Sequence, residues 1–180
     1  MMNKLNHNRI SNKSLPISST DISYKGLPVS DIGINISYKG LPVSDTDIQT
    51  LAETIYGEAR GELDYIEGGL AALIAVGNVV VNRAKCAKSV EQICKAPFQF
   101  SCWNANDPNR IEIERAAKQQ LPAFQTCMRV AKGVLLMGWP DLTNGATHYY
   151  AQSLYAPPFW AKSMQLQVKI GHHLFFKEKE

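Results

Sequence analysis

The feature that most constrains the fold is residues 66–84, a stretch that is apolar on almost every face of a helix. Its large apolar side chains are Leu70, Leu73, Ile74, Val76, Val79, Val80 and Val81. A helix that is apolar all round is normally buried, so this stretch predicts a central helix surrounded by the other elements. Its longest apolar run, 70–81, contains Gly77 and Asn78 and is shorter than the roughly 20 residues that cross a bilayer. We therefore expect no transmembrane segment.

An amphipathic helix precedes this stretch. Thr46 and Gln49 have the spacing of a capping box, and the apolar residues that follow recur at helical intervals: Ile48, Leu51, Ala52, Ile55 and Ala59. At about 100° per residue, Glu58 lies roughly 75° from the centre of this apolar face. We expect its carboxyl group to be half-buried.

Three helix-start signals follow: Ser89 with Gln92, Asp107 before Pro108, and Pro122. After them the pattern changes to that of extended chain. Residues 146–151 are rich in β-forming side chains, 166–170 alternate between apolar and polar, and 172–176 follow a glycine turn. These patterns predict an α+β domain that is mostly helical and has a small antiparallel β region near the C-terminus.

Residues 1–45 differ in composition from the rest of the chain. The motif Leu-Pro-(Ile/Val)-Ser occurs three times there, and a ten-residue repeat covers 22–31 and 36–45. Abundant Ser, Asn, Gly and Pro leave few side chains to bury. We expect an extended, flexible arm over 1–45 and a folded domain over 46–180. The arm is either a linker or a docking segment for a partner or the cell wall, with Tyr24 and Tyr38 as repeated anchors.

Charge and cysteine content argue against several classes of function. The chain has 19 Lys and Arg against 16 Asp and Glu, a net charge of +3 that is too small for a typical nucleic-acid binder. Cys86, Cys94, Cys102 and Cys127 contain no C-x-x-C pair, so buried thiols or disulfides are expected rather than zinc. A zinc hydrolase would use a His-Glu-x-x-His helix, and this motif, the Gly-x-Ser-x-Gly elbow and phosphate-binding loops are all absent from the sequence. We expect no metal and no cofactor.

Three stretches carry residues suited to chemistry. In 56–62, Glu58 and Glu62 are four residues apart and flanked by Gly57 and Gly61. Glycines are costly in a helix, so they suggest either the close approach of a ligand or the end of the helix, and the alternative for the glutamates is that both are solvated surface acids. In 97–104, aromatic rings alternate with amide and hydroxyl groups, as in a carbohydrate site, although core packing also explains the rings. The third stretch, 147–150, contains a histidine and two tyrosines, and further histidines follow at 172–173, a set that suits either metal ligation or the base of a hydrolase triad.

Together these stretches resemble the cell-wall hydrolase family of the spore cortex-lytic SleB type, from about Leu51 to Phe176. The matching segments are Ile55-Tyr56-Gly57-Glu58-Ala59-Arg60-Gly61-Glu62, Asn78-Val79-Val80-Val81-Asn82-Arg83-Ala84, Ile93-Cys94, Gln99-Phe100-Ser101, Ala146-Thr147-His148-Tyr149-Tyr150 and Gly171-His172-His173-Leu174-Phe175-Phe176. Each segment is weakly specific alone, but their joint order and spacing is specific. The resemblance leaves the repeat arm unmatched.

The resemblance implies a lysozyme-like catalytic domain over 46–180 that cleaves peptidoglycan glycan strands between N-acetylmuramic acid and N-acetylglucosamine, often as a lytic transglycosylase. It implies that Glu58 is the catalytic acid. Such an acid must hold a proton near neutral pH, which burial beside aromatic rings favours. We predict Glu62 as a supporting carboxylate, and the following side chains as substrate-binding groups: Gln99, Ser101, Trp103, Thr147, His148 and Tyr149. We expect His172 to pack the β region.

Two alternatives stay open at this point: a muramidase that uses water at the same site, and a non-catalytic wall-binding or virion component. The start of the sequence has no apolar stretch of the kind that a secretory signal contains, so we expect no signal peptide. A lysin made in the cytoplasm and released to the wall by a membrane pore, as a phage endolysin is, fits this expectation. We expect the partner to be peptidoglycan, with no nucleic acid, and the protein to be a monomer.

Overall fold

A computed structural model of the protein describes residues 34–36, 42–65, 69–84 and 89–179. The predictions for most of the repeat arm, for Tyr24 and Tyr38, and for Cys86 lie outside these residues. The described helices are α1 (Asp45–Ala59), α2 (Gly69–Arg83), α3 (Val90–Cys94), α4 (Asn109–Gln119) and α5 (Pro122–Leu136), with 3-10 turns at Arg60–Asp64, Ser101–Trp103 and Phe159–Lys162. The described strands are β1 (Ile34–Ile36), β2 (Pro42–Ser44), β3 (His148–Ala151), β4 (Met164–Ile170) and β5 (His173–Glu178).

The apolar stretch forms the central helix, as predicted. Nearly all of the side chains of α2 from Ala72 to Asn82 are buried, and α1 and α5 pack against it. Gly77 lies where these three helices meet, and a methyl group there would contact Val134 and Ile55 at 3.2 Å and 3.4 Å. The small residue therefore lets the helices approach closely, which maximises the apolar area that they remove from water.

Helix α1 begins two residues earlier than the sequence pattern predicts. Its N-cap is Ser44 rather than Thr46, because Ser44 Oγ accepts a hydrogen bond from the backbone N–H of Asp47 at 3.1 Å. The Asp47 carboxylate in turn accepts from the Ser44 N–H at 3.0 Å and from the Glu91 N–H at 2.9 Å. This acidic capping box ties the start of α1 to α3, a contact that the Thr46–Gln49 spacing could not make.

The division of the chain at residue 45 stays a prediction. Within the described part, β2 pairs antiparallel with β1, and Val43 of β2 is 2% exposed and packs in the helical core. The final residues of the repeat thus contribute a buried side chain as well as the N-cap of α1.

The predicted β region is a three-stranded antiparallel sheet with strand order β3-β5-β4. Its central strand β5 places Phe175 in a buried cluster with Ala75 and Val79 of α2. Tyr149 of β3 lies directly opposite Phe175 in the register. The sheet is therefore attached to the central helix, and this attachment sets the position of β3.

Most of the remaining sequence predictions are confirmed. Ser89 and Gln92 form a capping box at the start of α3, and Pro122 occupies the first turn of α5. The start of α4 differs by one residue, since its N-cap is Pro108 rather than Asp107, although Asp107 accepts a hydrogen bond from the Asn109 N–H at 2.8 Å. The three described cysteines are buried free thiols: Cys94, Cys102 and Cys127. The fold is the predicted one, mostly helical with a small antiparallel sheet near the C-terminus.

Candidate active site

A groove of about 590 Å³ lies between the end of α1, the 97–101 loop and strand β3. Its volume is that of a site for a small or medium-sized ligand. Its lining residues are Gly57, Glu58, Arg83, Phe98, Gln99, Ser101, His148, Tyr149, Tyr150, Ala151, Leu154, Pro158, Trp160 and His173. Glu58 is the single carboxylic side chain in this described lining.

Three donors from two walls of the groove hold the half-buried Glu58 carboxyl group. Oε1 accepts from the Cys102 backbone N–H at 3.2 Å and from the Ser101 hydroxyl at 3.4 Å, and Oε2 accepts from the Tyr149 hydroxyl at 3.0 Å. A hydroxyl group donates to a carboxylate and accepts from a protonated carboxyl group. Tyr149 and Ser101 can therefore partner Glu58 in both of its protonation states.

Gly57 explains how the loop comes so close to Glu58. A methyl group at Gly57 would lie 2.6 Å from the Cβ of Cys102 and 2.8 Å from the Cδ1 of Ile113. Only a residue without Cβ leaves room for the 3-10 turn that carries the Cys102 N–H. The sequence pattern suggested the close approach of a ligand here, but the group that approaches Gly57 is this loop. Gly61, by contrast, has nothing within 4 Å of such a methyl group.

Buried amides at the C-terminal end of α2 hold the segment that leads into β3. Asn78 accepts from the Leu142 N–H at 3.0 Å, and Asn82 donates to Asp141 at 2.9 Å and to the Ala146 carbonyl at 3.0 Å. These bonds satisfy polar groups that would otherwise be costly to bury. They also bring Tyr149 to Glu58, because β3 begins directly after this segment.

Arg83 links two walls of the groove. Its Nε donates to the Thr147 carbonyl at 2.6 Å, and its guanidinium group lies 4.9 Å from the centre of the Phe100 ring. Its Nη1 is buried and has no hydrogen-bond partner among the described residues. Burial lowers the pKa of Arg83, while the neighbouring Tyr149, Cys94 and Glu58 raise it. The guanidinium group places a buried positive charge beside the groove.

The groove also fixes the protonation of Tyr149 and His148. Burial holds the pKa of Tyr149 well above its ordinary value, and the neighbouring Glu58 charge adds to this effect. Tyr149 is thus a neutral hydroxyl group at physiological pH. Burial, with the Arg83 charge adding to it, lowers the pKa of His148, whose Nδ1 lies 3.0 Å from the Thr147 hydroxyl. His148 is therefore mainly a neutral ring that packs on Trp160 at 5.1 Å.

Glu62 lies in a different environment, the Glu62–histidine cluster (Glu62, His172 and His173). Its side chain is 6% exposed, and both oxygens lie 3.3 Å from the His172 backbone N–H. The Nδ1 of His173 is 3.3 Å from Oε1, although without hydrogen-bond geometry. Burial lowers the pKa of His173, against the opposing effect of the Glu62 charge. Glu62 thus anchors the turn between β4 and β5.

The structure brings together five of the predicted site residues and separates the others. Glu58, Gln99, Ser101, His148 and Tyr149 all line the groove. Trp103 lies outside the lining because its Nε1 donates to Thr54 of α1 at 2.9 Å, which turns the ring toward the helix. Thr147 lies outside it as well, with its hydroxyl group bonded to His148 and its carbonyl to Arg83.

Sequence reasoning assigned no role to several residues that line the groove: Arg83, Tyr150, Trp160 and His173. It assigned the Phe98 ring either to a carbohydrate site or to core packing, and core packing is wrong because Phe98 is exposed. Arg83 carries a usable signal, since it is the one charged residue at the end of an otherwise apolar helix. Phe98 carries another, a bulky residue after proline in a turn. Its φ is 62°, a left-handed conformation that costs an ordinary residue about 1–2 kcal/mol.

Among the described residues, no group of three or more His, Cys, Asp or Glu side chains is arranged to hold a metal ion. The same residues include no helix that is long and apolar enough to cross a membrane. The groove itself presents a carboxyl group, hydroxyl groups, an amide and aromatic rings. A carboxylic acid flanked by sugar-sized space and aromatic faces defines the glycosidase class of site.

Comparison with known proteins identifies the family. The sequence profile of the cell wall hydrolase family matches residues 68–176. The chain belongs to this family and is a peptidoglycan glycosidase, which cleaves the glycan of the cell wall. The match includes Arg83, the 97–101 loop and β3, but it begins after Glu58 and Glu62.

Two solved structures are similar over most of the chain. The catalytic domain of the Bacillus cereus SleB protein is 25% identical, with a TM-score of 0.50 over 75% of this chain and 92% of that one. The catalytic domain of the germination-specific lytic transglycosylase SleB from Bacillus anthracis is 26% identical, with a TM-score of 0.52 over 74% of this chain and 96% of that one. The comparison with curated proteins gave no significant match.

Proposed function

We propose that this enzyme is a lytic transglycosylase in which Glu58 is both general acid and general base. The observation that carries the proposal is that Glu58 is the single carboxylic side chain in the described lining of the groove. Glycosidases that use water normally need two carboxyl groups, about 5–5.5 Å or 6.5–9.5 Å apart. Glu62, the nearest acid in sequence, is turned away and bonded to the β4–β5 turn.

A transglycosylase needs only one carboxyl group. Protonated Glu58 gives its proton to the glycosidic oxygen, the bond from that oxygen to the anomeric carbon of N-acetylmuramic acid breaks, and an oxocarbenium-like centre forms. The Glu58 carboxylate then takes the proton of the C6 hydroxyl of the same sugar. The C6 oxygen attacks the anomeric carbon and closes a 1,6-anhydro ring, so no water is consumed and Glu58 ends protonated.

The neighbours of Glu58 suit both halves of this cycle. The Tyr149 and Ser101 hydroxyl groups both donate to the Glu58 carboxylate, and either one can accept from Glu58 when it is protonated. The Arg83 charge beside the groove favours the carboxylate that forms after the first proton transfer. The Bacillus anthracis relative, itself a lytic transglycosylase, supports the same choice by similarity.

Product analysis tests the proposal. Purified sacculi are digested with the wild-type protein, and the released muropeptides are weighed by mass spectrometry. We expect 1,6-anhydro ends, which are lighter than reducing ends by one water. Reducing ends would overturn the transglycosylase and indicate a muramidase that uses water at the same groove.

A substitution tests the role of Glu58. Glu58→Gln keeps the shape of the side chain but removes the proton donor, so we expect at least about a 100-fold loss of muropeptide release. Circular dichroism and urea unfolding should match the wild type. A folded Gln variant with full activity would place the chemistry on another residue.

We also propose that residues 46–180 are the catalytic domain and that residues 1–45 are an arm. The enzyme acts as a monomer. It is released to the wall in the manner of a phage endolysin. Expression in the cytoplasm should leave cells intact until a membrane pore is opened, after which turbidity falls. Lysis without a pore would contradict this release route. Size-exclusion chromatography with light scattering tests the oligomeric state, and a dimer mass would overturn the monomer.

A further inference from the structure

Phe98 is an exposed aromatic residue in a turn position that favours glycine. The Gln99 N–H donates to the Ala96 carbonyl at 3.2 Å, so residues 96–99 form a turn with Pro97 second and Phe98 third. Phe98 has φ 62°. A third position with positive φ after proline is normally occupied by Gly or Asn, because a side chain there crowds the backbone.

The Phe98 ring contributes little to the folded state. Its residue is 92% exposed, and it makes no ring contact with another described aromatic residue. Folding therefore gains almost no apolar burial from a residue whose backbone conformation is unfavourable. An unfavourable backbone conformation without compensating burial is best explained by a role in binding rather than in folding.

The location of Phe98 indicates a role in ligand binding. It lines the groove with Glu58, and it lies three residues before Ser101, whose hydroxyl group contacts Glu58. Three residues of chain span at most about 10–11 Å, so the Cα atom of Phe98 lies no farther than this from that of Ser101, whose side chain contacts Glu58. Gln99, between them, also lines the groove and supplies an amide for sugar hydroxyl groups.

We infer that Phe98 is a stacking platform that binds the apolar C–H face of a sugar ring beside the scissile bond. This inference rests on the proposed function, in which a glycan strand occupies the groove. An aromatic face contacts the sugar ring and does not require the stem peptide that is attached to it. Phe98 thus binds glycan strands equally well with and without their peptides.

The experiment measures binding without cleavage. In the inactive Glu58→Gln protein, fluorescence or calorimetric titration gives the Kd for glycan strands, both intact and stripped of peptides by an amidase. Phe98→Ala should raise the Kd about fivefold on both kinds of strand, and Phe98→Trp should stay within about twofold. The matched control is Phe159→Ala, because Phe159 is 89% exposed but lies outside the groove lining, and its Kd should not change.

A second variant separates binding from folding. Phe98→Gly suits the positive φ, so its Tm should equal or exceed that of the parent while its Kd rises as in Phe98→Ala. A residue needed only for structure would instead lower the Tm when replaced. An unchanged Kd in both variants, or a rise only on strands that carry peptides, would overturn the platform while leaving the proposed function intact. If the Glu58→Gln parent still cleaves the strands, the proposed role of Glu58 fails, and if it binds neither kind of strand, the proposed function and the platform fail together.

Discussion

Two glutamates four residues apart have opposite environments in this enzyme. Glu58 is half-buried in an open groove and bonded to hydroxyl groups and one backbone N–H, whereas Glu62 is buried against a turn and two histidines. Residues at this spacing share one face of an α-helix. They do not share it here because α1 ends between them, with Ala59 at φ −137°, and Glu62 belongs to the 3-10 turn that follows.

The difference teaches that a pair of acids at helical spacing indicates a shared site only if the helix continues through both. The Glu58 carboxyl group faces a groove that a ligand can enter, whereas the Glu62 carboxyl group is buried against the β4–β5 turn. We therefore expect Glu58 to control activity and Glu62 to control stability.

The largest expected contrast comes from exchanging each glutamate for glutamine. Glu58→Gln should lose at least about 100-fold in activity and change the free energy of unfolding by less than about 0.5 kcal/mol. Glu62→Gln should keep its activity per folded molecule within a few-fold but lose about 1–3 kcal/mol of stability, because it loses charge-assisted bonds to the turn. Muropeptide release and urea unfolding measure the two effects. Similar activity losses in both variants would mean that the two acids act together.

Gly171→Ala tests the buried environment of Glu62. Gly171 has φ +55°, and a methyl group there would overlap Glu62 Oε2, so we expect a loss of about 3 kcal/mol in the free energy of unfolding. Gly145→Ala is the matched control, since Gly145 also has positive φ but has nothing within 4 Å of the added methyl group. It should lose only about 1–2 kcal/mol. Equal losses would show that backbone strain, rather than contact with Glu62, explains the glycine at 171.

Tyr149→Phe tests the environment of Glu58 in the groove. It removes the hydroxyl group that bonds Glu58 at 3.0 Å, so we expect kcat/KM to fall about tenfold. Tyr56→Phe is the control, because it removes a hydroxyl group that bonds the Glu112 carboxylate at 3.2 Å outside the groove lining. Its kcat/KM should be unchanged. If Tyr149→Phe kept full kcat/KM, the bond to Glu58 would have no part in catalysis.

The smallest expected effect is the pH dependence of stability. Burial lowers the pKa of His173 and of His148 from the ordinary value of 6.5, so the unfolded chain binds protons that the folded chain does not. Stability from these groups is complete above about pH 6.5 and is lost as the pH falls toward the lowered values. We expect the Tm to fall by about 2–4 °C between pH 7.5 and 5.5.

His173→Gln should reduce this slope, because it removes the buried group that lies beside Glu62. Scanning calorimetry at several pH values measures the slope of the Tm against pH. A slope that is the same in the variant and the wild type would assign the pH dependence to other groups.

Much of the fold could be predicted from the sequence. The apolar stretch at 66–84 identified the central helix, and capping and proline signals identified the starts of α3, α4 and α5. These signals are local, because they depend on residues a few positions apart. The start of α1 was predicted two residues late, because Ser44 pairs with Asp47, and Asp47 is also fixed by a contact with α3 that the local pattern does not contain.

The candidate site was predictable only in part. Gln99 and Ser101 lie in a segment whose residue types indicated a sugar site. Glu58, His148 and Tyr149 were assigned to it through the resemblance to cell-wall hydrolases, and all five residues line the groove. Trp103 belongs to the same kind of segment, yet a single hydrogen bond to Thr54 turns it away. Residue type therefore indicated the kind of chemistry, and the direction of each side chain depended on its distant partners.

The sequence by itself determined the elements of this enzyme, since helix periodicity, caps and β alternation are properties of neighbouring residues. Only the tertiary structure decided which acid faces the groove. That choice depends on the end of α1 at Ala59, on the loop that Gly57 admits, and on the β3 hydroxyl group that the α2 amides bring to Glu58. These contacts join residues up to 91 positions apart, and no local pattern records them.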